Sequence, residues 1–347
     1  MMIKGRKMLW QMILIMVISV IVFAGHLSPS FGAEDAASFY KGKTINFVVG
    51  FTAGGGVDVS SRLLATAMAK YANCTAVVRN VPGAGGILGL NQVYTAEPDG
   101  LTVMIAPLGL TEIAQLLKSP GVKYDCRKFN WLARFNTEPQ ILVTAQNSPY
   151  KSFDDVRKAK TVFSTGAEPT ARASLATLIT AEALGLDNLK IIYGYPGSPE
   201  QILALMRGEA DLYSPSLGTY LRQKKELRAL LTIERKRVPE LPDVPALGEL
   251  NIKNESKGLV EVFLSIWEIG LSVIASPGIP QERVKFLRET LMKCLQDKEL
   301  LEKAAKLEVS VNPLPGDQVE TLVKKALDLS PEDFKKLDSI IAGKYKK

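Results

Sequence analysis

Thr44-Ile45-Asn46-Phe47-Val48-Val49-Gly50-Phe51-Thr52-Ala53-Gly54-Gly55-Gly56-Val57-Asp58 is the stretch from which the fold can be read. Its first half, 44–51, is a short β-branched run that ends in glycine, the pattern of a buried strand. Residues 57–71 follow with Val59, Leu63, Leu64, Ala67 and Met68 at helical spacing. The same order repeats: a strand over 75–79, a helix over 86–97 closed by the turn Pro98-Asp99-Gly100, and a strand over 101–106. Strands alternating with helices predict an α/β fold whose parallel-rich sheet is covered on both faces.

Further out, the alternation resumes beyond Trp131. Strands are expected over 140–144, 161–164, 189–193, 210–213 and 227–232, and helices over 153–159, 171–184 (stopped by Gly185) and 199–207 (stopped by Gly208). Residues 238–260, rich in Pro, Gly, Asn and charge, suit a return connection. The apolar run 262–275 reads as a buried strand pair crossing back, ahead of a helix over 281–294 and a helical tail over 331–347. There is no internal repeat of 20–50 residues. A chain of 347 residues suits two domains. The expected division is a leader over 1–33, a first lobe from 34–139 with 262–347, and a second lobe over 140–261.

Lys4, Arg6 and Lys7, the apolar run 8–24 and the small residues Gly32 and Ala33 have the order of a secretory signal peptide, cleaved near Gly32/Ala33. An uncleaved membrane anchor is the other reading of that run. The leader's three bases account for three of the seven formal positive charges, leaving +4 on a surface where bases and acids interleave. That excludes a nucleic-acid stripe. Cys74, Cys126 and Cys294 make no metal pattern, and at most one pair can bridge. The sole histidine, His26, lies in the leader, which leaves the mature chain without a Ser-His-Asp or Cys-His nucleophile or a His-ligated metal. No cofactor or metal is expected.

Two segments carry the chemistry. Residues 50–58 join a strand to a helix, and so do Asn80-Val81-Pro82-Gly83-Ala84-Gly85-Gly86. Glycines let the backbone turn sharply and approach a ligand closely, and a helix start offers unpaired N–H groups to an anion. In a parallel sheet, neighbouring strand ends set such loops side by side at the carboxyl edge. Asp58 stands either to cap its helix or to hold a ligand through water. The first loop lacks the third spaced glycine of a dinucleotide fingerprint and the Gly-Lys-Ser/Thr of a P-loop. In the second lobe, Thr165, Tyr195 and Ser214 are candidate donors to a ligand's far end, though each alone reads more simply as a turn, cap or core residue.

These segments resemble the Bug-type periplasmic receptors of tripartite tricarboxylate transporters. The resemblance is carried by residues 39–43 (FYKGK), GFTAGGGVD (50–58), RNVPGAGG (79–86), EPDGLT (97–102), GYPGS (194–198), RGEAD (207–211) and LPDVP (241–245). It implies a two-lobed, periplasmic-binding-protein-like Venus flytrap with hinge strands crossing between the lobes. It implies no enzyme activity and a ligand carboxylate held at Thr52, Gly55, Gly56, Asp58, Gly83, Ala84, Gly85 and Gly86. The implied partners are a small organic carboxylate and integral membrane transporter subunits, with the receptor acting as a periplasmic monomer. Many members have a histidine in the turn opening the long helix of the second lobe; here 166–174 (GAEPTARAS) has none. A receptor feeding a membrane sensor, and a secreted enzyme using the same cleft, remain open alternatives. The enzyme lacks a Gly-x-Ser-x-Gly elbow.

Overall fold

The computed structural model describes residues 35–106, 109–195 and 197–346; the leader lies outside the described residues. Helix α1 (Ala36–Tyr40) leads into β1 (Thr44–Val49), α2 (Gly56–Tyr71), β2 (Thr75–Asn80), α3 (Ile87–Tyr94), β3 (Thr102–Ala106), α4 (Leu110–Leu116) and β4 (Asn130–Asn136). The chain then crosses over and forms β5 (Ile141–Ala145), α5 (Phe153–Lys158), β6 (Val162–Thr165), α6 (Arg172–Leu184), β7 (Leu189–Ile192), α7 (Ser198–Met206), α8 (Leu217–Arg222) and β8 (Leu227–Thr232). It returns through α9 (Lys257–Ile269), β9 (Leu271–Ala275), α10 (Gln281–Cys294), α11 (Lys298–Lys306), β10 (Leu314–Pro315), α12 (Gly316–Ala326) and α13 (Pro331–Ser339).

The first sheet has the order β10-β4-β9-β3-β1-β2. Its β1 pairs in parallel with β2 and β3, while β9 runs antiparallel to β3 and β4. The parallel half is the strand–helix alternation of the first hundred residues, and the antiparallel half is made by the segments that leave and re-enter the lobe. Side-chain alternation along β1 explains why both faces are covered. Ile45 and Phe47 join Leu64, Met68 and Leu287 in one apolar cluster, while Val48 joins Leu90 and Met104 in another. A one-residue slip would exchange the two faces.

In the second lobe β5 pairs antiparallel with β8, and β6 parallel with β7. Bridges from Val143 to Tyr213 and from Ser164 to Leu212 join the two pairs. The strand expected over 210–213 is thus reduced to those bridges.

Two expectations are corrected. Residues 262–275 are not a strand pair: helix α9 covers most of the run, and Gly270 (φ 60°, ψ −150°) turns the chain into the single strand β9. The placement of 262–347 wholly in the first lobe is too simple. Lys346 bridges Ile191 on the second sheet, and Lys344 Nζ and Tyr345 Oη donate to Glu182 of α6 at 2.6 and 2.9 Å. Phe263 and Trp267 of α9 also share an apolar cluster with Leu175 and Ile179 of α6. Cys74, Cys126 and Cys294 are all free thiols, within the limit of at most one bridge set by the sequence.

Candidate functional site

The parallel register places Val49 beside Asn80, so the two glycine loops leave the sheet side by side. Their backbones touch. A methyl group on Gly50 would stand 2.9 Å from Gly86 Cα and 3.0 Å from Met104 Cε, an approach that only glycine permits. Gly83, Gly85 and Gly86 have φ of 146°, 62° and 95°, and Ala84 between them sits at φ 48°. A non-glycine residue in the left-handed region is locally strained, and such strain clusters at ligand-binding turns.

Asp58 explains how the first loop keeps its shape. Its carboxylate is buried and accepts from Gly54 N (2.8 Å), Arg62 Nε (2.9 Å), Arg62 Nη2 (3.0 Å) and Asn80 Nδ2 (2.9 Å). Asn80 Nδ2 also donates to the Phe51 carbonyl at 3.0 Å, so one amide ties the second loop to the first. The Arg62 hydrogen bonds, followed by those of Gly54 and Asn80, outweigh burial and hold the Asp58 carboxyl down at about 2. Gly55 is the N-cap of α2, with Val59 N donating to its carbonyl at 2.9 Å. Helix geometry leaves the N–H groups of Gly56 to Asp58 without intrahelical partners at the positive end of a 16-residue helix.

A cleft of about 500 Å³ opens between these loops and the second lobe. The first loop contributes Phe51 and Val57, the second Ala84 and Gly85, and α3 contributes Ile87 and Leu90. Helix α4 adds Ile113 and Ala114, while Glu168, Thr170, Ala171 and Arg172 face them from the turn that opens α6. Arg172 Nη2 donates to the Glu138 carbonyl at 2.8 Å. The Gln140 amide turns its oxygen to Arg172 Nε (3.1 Å) and its nitrogen to the Ser214 carbonyl (2.9 Å). Burial pushes the Arg172 guanidinium down to about 10. Residues 137–140 are the crossing between lobes, so this side chain links the cleft wall to the hinge. Next to Ile113, Glu112 is buried with neither carboxyl oxygen hydrogen-bonded among the described residues. Burial raises it to about 8, which makes it a neutral acid at pH 7.

Of the residues singled out in the sequence, Ala84 and Gly85 line the cleft directly. Thr52, Gly55 and Gly56 are exposed on the loop beside it, Gly83 shapes the second loop, and Gly86 is buried against Gly50. Asp58 is a brace rather than part of the wall. In the second lobe, Thr165 is buried at the end of β6, with its hydroxyl unpartnered among the described residues. Tyr195 is half-buried, its N–H donating to the Gly166 carbonyl at 3.3 Å. Ser214 lies within the lobe, its hydroxyl 2.9 Å from Thr177 Oγ1, and does not reach the cleft. Sequence reasoning missed Arg172, Asn80 and Arg62. Arg62 was legible as a base four residues after Asp58 on one helix. Arg172 stood in the turn already under scrutiny for a histidine.

A second groove of about 630 Å³ lies on the opposite side of the crossing, between Leu217, Arg222 and Lys236 of the second lobe and Glu308 and Ser310 of the first. Two of its arginines are paired: Arg237 with Glu249 at 2.9 Å and Arg222 with Glu308 at 3.9 Å. No glycine loop opens into it, and the cleft at the carboxyl ends of β1 and β2 is the place where an α/β sheet of this kind holds ligands.

A family model described as the tripartite tricarboxylate transporter family receptor matches residues 60–336. The chain belongs to this family. A curated relative, a UPF0065 protein of Pseudomonas sp. strain P51, is 28% identical over 274 residues, covering 76% of this chain and 77% of the relative. The structure of a TctC solute-binding protein from Polaromonas superposes with a TM-score of 0.71 at 20% identity, covering 87% of this chain and 99% of that one. MatC from Rhodopseudomonas palustris, solved with bound malate, superposes with a TM-score of 0.56 at 23% identity over 86% of this chain and 99% of that one. The tripartite tricarboxylate receptors are periplasmic solute-binding proteins and not enzymes. No helix among the described residues is long and apolar enough to cross a membrane.

Proposed function

We propose that this receptor captures a small organic carboxylate in the periplasm and presents it to the membrane subunits of a tripartite transporter. The observation that carries this reading is the pair of glycine loops at adjoining strand ends, facing the start of α6 across one cleft. In this reading the ligand carboxylate meets the backbone of 55–58 and 83–86, where the N-terminus of α2 adds positive potential. Asp58, Asn80 and Arg62 hold that backbone in place. The second lobe closes on the far end of the ligand, and contact with both lobes biases the hinge towards the closed form. Export uses the leader, cut near Gly32 or Ala33. The malate carried by MatC supports a carboxylate as the ligand class.

Thermal melting of the mature chain, unfolded and refolded to strip any bound solute, tests this reading against a panel of mono-, di- and tricarboxylates. At a thousand-fold excess over Kd, a ligand of the native state adds about 4 kcal/mol, enough to raise Tm by several degrees. The reading predicts such a shift with at least one carboxylate. A panel in which none moves Tm would remove it.

A further inference from the structure

On its first-lobe side, past the loop backbone, the described lining of the cleft offers a ligand little except hydrocarbon, while Thr170 brings a hydroxyl to the opposite wall. Phe51, Val57, Ile87, Leu90, Ile113 and Ala114 form the first-lobe wall, and Ala171 adds to the opposite one. The formal charges among the described lining residues are Glu168 and Arg172, which cancel. Arg172 is already engaged by the Glu138 carbonyl and the Gln140 amide at the crossing. Glu112, next to Ile113, is buried and contributes no positive charge. With the Asp58 charge matched by Arg62, the positive potential left for a ligand is that of the α2 N-terminus and the adjoining loop amides, about half an elementary charge, which suits one anion rather than several.

We propose that the cleft selects an organic monocarboxylate with a bulky apolar body, an aromatic or medium-chain acid, over small polyanions. This rests on the receptor reading above and names the ligand class for the same site. A second carboxylate at the ligand's far end would exchange water for apolar side chains with no cation assigned to it, and an unpaired buried charge is strongly disfavoured. Ligand hydroxyls turned to the first-lobe wall would lose their hydrogen bonds in the same way, with Thr170 as the one uncharged polar side chain in the described lining of the opposite wall. A ring or alkyl chain gains by leaving water, and the cleft has the volume to enclose one.

Calorimetric titration of the refolded mature chain decides the matter with pairs that keep the body and change the charge: hexanoate against adipate, and benzoate against terephthalate, with citrate as a compact polyanion. The inference predicts that a monoacid binds about tenfold more tightly than its diacid, with a negative heat-capacity change from apolar burial. Ile87→Asn, at a half-buried wall position, should weaken the monoacid. Glu168→Gln removes one anion from the cleft wall, while Arg172 keeps Glu234 and Glu138 as charge partners, and should narrow the gap between adipate and hexanoate. Equal or tighter binding of the diacids or citrate in the unmodified protein overturns the inference and leaves the receptor reading standing. Neither heat nor a melting shift with any of the five removes both.

Discussion

Asp58 is placed to act on the candidate site through the loop it braces rather than from the cleft wall. Its four hydrogen bonds fix the loop whose N–H groups the proposed reading assigns to the ligand carboxylate. Asp58→Asn should weaken carboxylate binding about tenfold, because the loop loses its charged brace. The same change reads out in acid. The folded carboxyl sits at about 2, below its unfolded value, so its contribution is present above pH 4 and disappears as pH falls through 2. Unfolding free energies from urea titration of Asp58→Asn and the unmodified protein should differ by about 1–2 kcal/mol at pH 6, allowing for the solvent around Arg62, and converge below pH 2. Glu112 has the opposite sign. Raised to about 8 by burial, it contributes stability below pH 4.5 that is lost as pH climbs through 8. Glu234, raised by burial to about 7, adds to the same trend. Tm should therefore decline from pH 5 to pH 8, and Glu112→Gln should flatten that decline. An unchanged slope in the variant would show that Glu112 ionises normally in the fold.

Among the elements, the touching loops are the pair on which the site depends. Gly50→Ala must push Gly86 and Met104 away, at a cost of roughly 1–3 kcal/mol, and should lower carboxylate affinity in proportion as the loops separate. Full affinity in that variant would mean that the loop spacing is irrelevant to binding. The loops were legible in the sequence because a β-branched run, a glycine cluster and a helical repeat follow one another without a break over residues 44–71. Helix α9 was misread because Val262, Phe263 and Ile266 are good strand formers and were weighed by type rather than by spacing. Leu259, Val260, Phe263, Leu264 and Trp267 recur at helical intervals, and Glu261 and Glu268 lie on the other face, where Arg235 pairs with both. Tertiary packing against α6 and α12 completes what propensity alone left ambiguous. Arg172 and Asn80 stayed hidden for a different reason. Their roles depend on contacts across the crossing and between loops, which no local pattern encodes.

In the whole molecule, the two lobes meet along the crossing, with a cleft on one side and a groove on the other. In the proposed reading, closure over the cleft would widen the opposite groove, where the solvent-exposed side chains of Arg222 of α8 and Glu308 of the first lobe stand 3.9 Å apart. A pair so exposed contributes little, about 0–1 kcal/mol, so the balance between open and closed forms rests mainly on the ligand. The account therefore depends on where the ligand's carboxylate lies. The most direct test is amide mapping by NMR on the refolded mature chain during titration with the tightest-binding carboxylate of the panel. The account predicts the largest early shifts at the backbone amides of 55–58 and 83–86, followed by residues 166–172 as the lobes close. Leading shifts at 217–222 and 234–240, with the glycine loops unmoved, would place the ligand in the opposite groove and contradict it.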